Sequence, residues 1–132
     1  MITHEKNSTF VCKFFHIKNK TIASIVEGMQ EQKAKNIVVV DMTKLEAPCS
    51  YFVICDGTSS RQVASIADTM RDYVRDNIRQ KPFSYDGYEN AEWIALDYGS
   101  VIAHIFQHEI RMFYDIEHLW NDAKITHIPD ID

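Results

Sequence analysis

Apolar positions recur along this chain with two different periods, and the switches between them mark out its elements. Ile22, Ile25, Val26 and Met29 follow i, i+3, i+4, i+7 spacing, the stripe of an amphipathic helix that Thr21 caps and that ends near Ala34. Ile37-Val38-Val39-Val40 then runs without alternation, as a strand covered on both faces does. Leu45 to Pro48 reads as a loop, and Tyr51-Phe52-Val53-Ile54-Cys55 as a second buried strand. Asp56-Gly57 turns the chain and Thr58 or Ser59 caps a long helix. Val63, Ile66, Ala67, Met70, Val74 and Ile78 keep helical period there until Pro82 stops it. After a turn at Asp86-Gly87, Trp93 to Tyr98 and Val101 to Gln107 form a hairpin around Gly99-Ser100, with glycine first as a type II′ turn requires. A last helix from about Ile110 carries Phe113, Ile116, Leu119 and Trp120. With a short strand ahead of the hairpin the order is α-β-β-α-β-β-β-α. That is an α/β (α+β) single domain, a mixed β-sheet packed with helices.

The two-residue loop also fixes the hairpin register. Trp93 faces Phe106, Leu96 faces Ala103, Asp97 faces Ile102 and Tyr98 faces Val101. Alternation then places Ile94, Leu96, Tyr98, Val101, Ala103 and Ile105 on one apolar face, expected under helices. Trp93, Ala95, Asp97, Ile102, His104 and Phe106 share the other face. This second face mixes large aromatics with an acid and a histidine, and places Asp97 and His104 diagonally within reach of each other. It reads either as a sheet face partly covered by a loop or by the N-terminal extension, or as a protein-binding surface, since aromatic anchors ringed by polar groups are typical hot spots.

Composition narrows the function classes. The 132 residues suit one domain with its own core, and no apolar run reaches the ~18 residues of a membrane span. Fourteen Lys+Arg against nineteen Asp+Glu give a net charge of -5, which makes RNA at most a secondary contact and favours a basic protein partner. Cys12, Cys49 and Cys55 are an odd number without CxxC spacing, so neither a disulfide framework nor a zinc ribbon is expected, and a reducing, cytoplasmic setting fits. Residues 1–20 mix lysines with Phe10, Phe14 and Phe15. They lack the apolar core of a signal peptide and read as an extension, followed by a domain over 21–124 and a tail over 125–132.

Several stretches carry a family likeness. Lys33-Ala34-Lys35-Asn36-Ile37-Val38-Val39-Val40-Asp41, Tyr51-Phe52-Val53-Ile54 and Gly57-Thr58-Ser59-Ser60-Arg61-Gln62-Val63 are followed by Ala91-Glu92-Trp93-Ile94-Ala95-Leu96-Asp97-Tyr98-Gly99. Then come His104-Ile105-Phe106, Glu109, Arg111, Phe113-Tyr114, Glu117 and Leu119-Trp120. In this order they resemble the ribosomal silencing factor family (RsfS, also called Iojap) from about Ile22 to Ala123. The resemblance implies a non-enzymatic translation repressor. Such a protein binds the large (50S) ribosomal subunit at its protein fourteen and sterically blocks joining of the small subunit. Organellar members implied by the same likeness act in large-subunit assembly, and family members form homodimers. It also implies ribosome-facing residues at Trp93, Ile94, Asp97 and Tyr98, to which the face carrying Trp93 adds Phe106. Ser50 and Ser100 stand where the family usually has acidic residues, and residues before Lys20 have no counterpart in typical members.

The implied topology is nucleotidyltransferase-like without the catalytic carboxylates. Gly57, Thr58 and Ser59 could hold an anion on free backbone N–H groups, but they read first as a tight turn and helix cap. A metal-dependent transferase needs paired carboxylates, and Ala95 stands two before Asp97. The Asp130/Asp132 pair lies in the tail. His104 and His108 are not on one helical face, so no metal site is expected, and no cofactor. Cys55 reads as a core thiol, and Phe113, Tyr114 and Trp120 read as core aromatics.

Overall fold

The computed structural model describes Ile17, residues 19–120 and 122–131. The element order is α1 (Lys20–Glu31), β1 (Lys35–Asp41), β2 (Tyr51–Gly57), α2 (Ser60–Ile78), β3 (Ser84–Asp86), β4 (Trp93–Asp97), β5 (Val101–Gln107), α3 (His108–Tyr114), a 3-10 turn (Ile116–His118) and β6 (Lys124–His127). The strands form one six-stranded sheet in the order β3-β4-β5-β2-β1-β6. Only β2 and β5 pair in parallel, joined by the crossover through α2, and the other neighbours are antiparallel.

Helices α1 and α2 lie together on one face. Their apolar stripes (Ile25, Val26 and Met29; Val63, Ile66 and Met70) meet Val53, Cys55, Ile94, Leu96, Val101, Ala103 and Ile105 in the main core. A second core on the opposite face gathers Val38, Val40, Met42, Cys49, Phe52, Ile54 and Phe106 beneath the loop after β1 and the chain beyond α3. Strands β1, β2, β4 and β5 therefore send alternate side chains toward one core or the other. This is why the uninterrupted apolar runs of β1 and β2 are strands and not helices.

The hairpin has the expected register: Trp93 pairs with Phe106, Leu96 with Ala103 and Asp97 with Ile102. The Tyr98 N–H donates to the Val101 carbonyl at 2.8 Å, and Gly99 sits at φ 93, a conformation that costs glycine little. The sorting of hairpin side chains onto two faces holds throughout.

Several boundaries differ from the sequence reading. The first helix starts at Lys20 and is capped by Asn19, whose side chain accepts from the Ile22 N–H, rather than by Thr21. The last helix is shorter than expected. Asp115 at φ 46 ends α3 after seven residues, and the chain continues as the 3-10 turn. Phe113 and Tyr114 are consequently 80% and 52% exposed instead of forming core, whereas Trp120 is half-buried against Phe52. Residues 125–132, expected to be a tail, include most of β6, which pairs with β1 before Ile128 buries its side chain. The reading of residues 1–20 as an extension lies largely outside the described residues. Ile17 already packs on the main core.

Gly28 marks the closest approach of the two long helices, where an added Cβ would come within 2.9 Å of the Met70 Cα. We expect Gly28→Ala to destabilise the domain by about 1–3 kcal/mol through overpacking, read as a lower urea midpoint at unchanged slope.

Candidate functional site

The face opposite the long helices is closed over β1 and β2 and opens toward β4. Trp93, Ala95 and Asp97 along β4, with Ile102 on β5, are half-buried there. Trp93 is fixed from several sides. Its ring stacks on Phe106 (centroids 4.8 Å, planes 25° apart) and meets Tyr114 of α3 at 5.1 Å. Its indole N–H donates to His104 Nδ1 at 3.0 Å. Tyr114 in turn meets Phe113 edge-on at 5.1 Å, and both are exposed on α3.

Next to Trp93 lies a cavity of about 460 Å³ between the β3–β4 loop and α3, lined by Tyr85, Tyr88, Trp93, Tyr114 and the acids Asp86, Glu89 and Glu92. No lysine or arginine lines it among the described residues. The Arg71 guanidinium stands over two of the same aromatics, 4.8 Å from the Tyr85 ring centroid and 5.5 Å from that of Tyr88.

The residues singled out by sequence separate into two groups. Trp93 and Asp97 stand on the open face, although one Asp97 oxygen is engaged by the Gly99 N–H at 2.7 Å. Ile94 and Phe106 have no exposed surface and Tyr98 only 7%; Phe106 lies beneath Trp93, while Ile94 and Tyr98 point into the core under the helices. Burial pushes the Tyr98 hydroxyl up to about 12. The expected contact of Asp97 with His104 is absent from the hydrogen bonds of the described residues. Ala95 is the residue opposite His104, and Trp93 takes its ring nitrogen. Gly57, Thr58 and Ser59 form a helix cap. Ser59 Oγ accepts from the Gln62 N–H at 3.1 Å, while the Gln62 side chain accepts from the Thr58 N–H and hydroxyl at 2.6 and 2.8 Å, a variant of the capping box.

Sequence reasoning missed a charged cluster at the end of β2. Arg111 is buried and donates to Asp56 and the Asn36 carbonyl (2.7 Å each) and to both oxygens of Glu117 (2.7 and 3.1 Å). The second Asp56 oxygen accepts from the Asn36 side chain at 2.9 Å and contacts His108 Nδ1 at 2.7 Å. Burial opposes the charge on Arg111, but Glu117 and Asp56 outweigh it and hold the guanidinium above its ordinary pKa. The available signal was an acid ending an apolar strand, which needs a partner when buried. Asp130, one of the tail acids, accepts from the backbone N–H of Asn36. No group of three or more acidic, histidine or cysteine side chains could hold a metal among the described residues. Cys55 is fully buried, and burial raises its thiol pKa.

The fold is that of a small α/β domain, and this face sets the aromatics Trp93, Phe113 and Tyr114 beside an acid-lined cavity. Comparisons give the family. The profile described as ribosomal silencing factor during starvation (RsfS) matches residues 16–132. The RsfS protein of Bacillus subtilis is 33% identical over 112 residues, which is 83% of this chain and 93% of that protein. A mouse protein named mitochondrial assembly of ribosomal large subunit protein 1 is 29% identical over 75% of this chain and 44% of its own length. A crystal structure from Chromobacterium violaceum superposes with TM-score 0.73 at 26% identity, covering 83% of this chain and 91% of that one. The chain belongs to the ribosomal silencing factor family, whose members are named as silencing factors and not as enzymes.

Two outcomes follow. Replacing Arg111 with Met leaves Asp56 and Glu117 without their shared cation, and should cost about 3–5 kcal/mol in chemical unfolding. His104, held down to about 4 by burial, stays neutral in the folded chain. The unfolded chain takes up a proton near pH 6.5, so the stability from a neutral His104 is complete above that pH. It falls by about 3 kcal/mol as the pH drops from 6.5 to about 4. Unfolding midpoints at pH 7 and pH 4.5 should differ less in a His104→Phe chain than in the wild type.

Proposed function

We propose that this chain docks through the face carrying Trp93 on protein fourteen of the large ribosomal subunit, and by occupying that surface keeps the small subunit from joining. The observation that carries the reading is Trp93 itself, a half-buried tryptophan held by three ring contacts and a hydrogen bond beside the exposed Tyr114. Large aromatic anchors of this kind supply most of the energy of protein interfaces. The acids Asp86, Glu89 and Glu92 beside it, in a chain of net charge -5, complement a basic protein, as ribosomal proteins are.

The family name and the printed name of the Bacillus subtilis relative support silencing. The mouse relative's name favours a second reading, large-subunit assembly through the same surface. Neither needs catalysis, because repression here is exclusion of one partner by another. The same exposed aromatics give free chains a way to pair as homodimers, and pairing would compete with docking. We place this role in the cytoplasm, a reducing setting that suits the free, buried Cys49 and Cys55.

Sedimentation with separated subunits tests this. The chain should travel with large subunits and slow the formation of joined ribosomes. Trp93→Ala should weaken binding at least tenfold, in line with hot-spot truncations of about 2 kcal/mol or more. Unimpaired joining in the presence of saturating protein would rule the reading out.

A further inference from the structure

We propose that His104 is a positioning residue for partner recognition: its Nδ1 holds the Trp93 indole in the orientation that docking uses. The inference rests on the docking role of Trp93 and adds a residue that itself touches no partner.

An indole N–H only donates, so the 3.0 Å contact requires Nδ1 of His104 to be the bare, accepting nitrogen. The proton of the neutral ring is then on Nε2. That atom is buried and has no hydrogen-bond partner among the described residues. His104 lies 6% exposed, edge-on to Phe52 (centroids 4.6 Å, planes 80° apart) and near Phe106 at 6.2 Å. A phenylalanine in this place would fill the same apolar space without a stranded donor. Core packing therefore argues against histidine here.

Nor is Trp93 a core residue that must find a partner deep inside the fold, since it is only half-buried. What remains is orientation. Stacking on Phe106 fixes the plane of the indole but leaves it free to slide or turn within that plane. One directional bond at the ring nitrogen removes this freedom before the partner arrives, so the ordering is not charged to binding. It also takes away the only donor of the ring, so Trp93 offers its partner an apolar π surface.

The test uses His104→Phe and His104→Asn, each alone and with Trp93→Phe. Asparagine keeps an acceptor near the Nδ1 position and phenylalanine does not. We expect His104→Phe to fold with an unfolding midpoint at pH 7 no lower than wild type, yet to bind large subunits about fivefold more weakly, the scale of one neutral hydrogen bond. His104→Asn should bind within about twofold of wild type. With Trp93→Phe already present, His104→Phe should change affinity less than about twofold, as a pathway through this bond requires. In the free protein, the Trp93 indole N–H should exchange with solvent faster in His104→Phe and at nearly the wild-type rate in His104→Asn. Unchanged affinity and exchange in His104→Phe would overturn the proposal. So would an equal loss in the Trp93→Phe background, or failure of His104→Phe to fold, either of which would make the histidine merely structural. The exchange measurement needs no ribosome, so it reads the His104–Trp93 bond even if Trp93→Ala binds normally and the docking surface is misplaced.

Discussion

The hydrogen bond from the Tyr98 N–H to the Val101 carbonyl closes a turn of only two residues, and everything on both sheet faces depends on that register. A slip by a single residue along this hairpin would invert it. Trp93 and Asp97 would be driven beneath the long helices, and Ile94 and Leu96, both fully buried, would be turned out to water. The apolar area at stake makes that alternative costly. The hairpin hands its register on to the rest of the sheet, because β5 is the strand that pairs in parallel with β2. Helix packing on one side and the Trp93 face on the other are two readings of one alternation.

The second organising feature is electrostatic. Arg111 gathers Asp56 from the end of β2, the Asn36 carbonyl from the start of β1 and Glu117 from the 3-10 turn. Buried ion clusters add little net stability compared with an apolar filling, but once present they tolerate few alternative arrangements. Here the cluster fixes where the chain after β5 lands, and so holds α3, with Tyr114, against Trp93. It also neutralises the acid nearest the Gly57-Thr58-Ser59 turn. An anion approaching that turn would find the donor of Thr58 already engaged by Gln62.

The sequence made the two-faced hairpin legible because its signals are local: a glycine-led two-residue turn and strict alternation around it. The family likeness supplied Trp93 for a reason that no periodicity states. The likeness also brought in Ile94 and Tyr98, which alternation had already placed on the helix side. The structure sides with alternation there. What stayed hidden was non-local. Strand β6 shows no strong β pattern, since Lys124-Ile125-Thr126-His127 is an edge with one half-buried side chain, formed because β1 offers it a partner. The early end of α3 depends on Asp115 adopting a left-handed conformation, which the apolar spacing through Phe113 and Ile116 did not reveal. The Arg111 cluster joins residues up to 75 apart in the chain.

Strand β6 closes the sheet on the side of β1. Without it, β1 would be an outer strand with Ile37, Val38 and Val40 fully or nearly fully buried beside a row of unpaired amides, a template for stacking onto other chains. The four residues that cover it are short, carry a lysine and a histidine, and leave only a polar rim for further pairing. Strand β6 thus supplies the backbone partners for an edge whose apolar side chains are otherwise committed to the two cores.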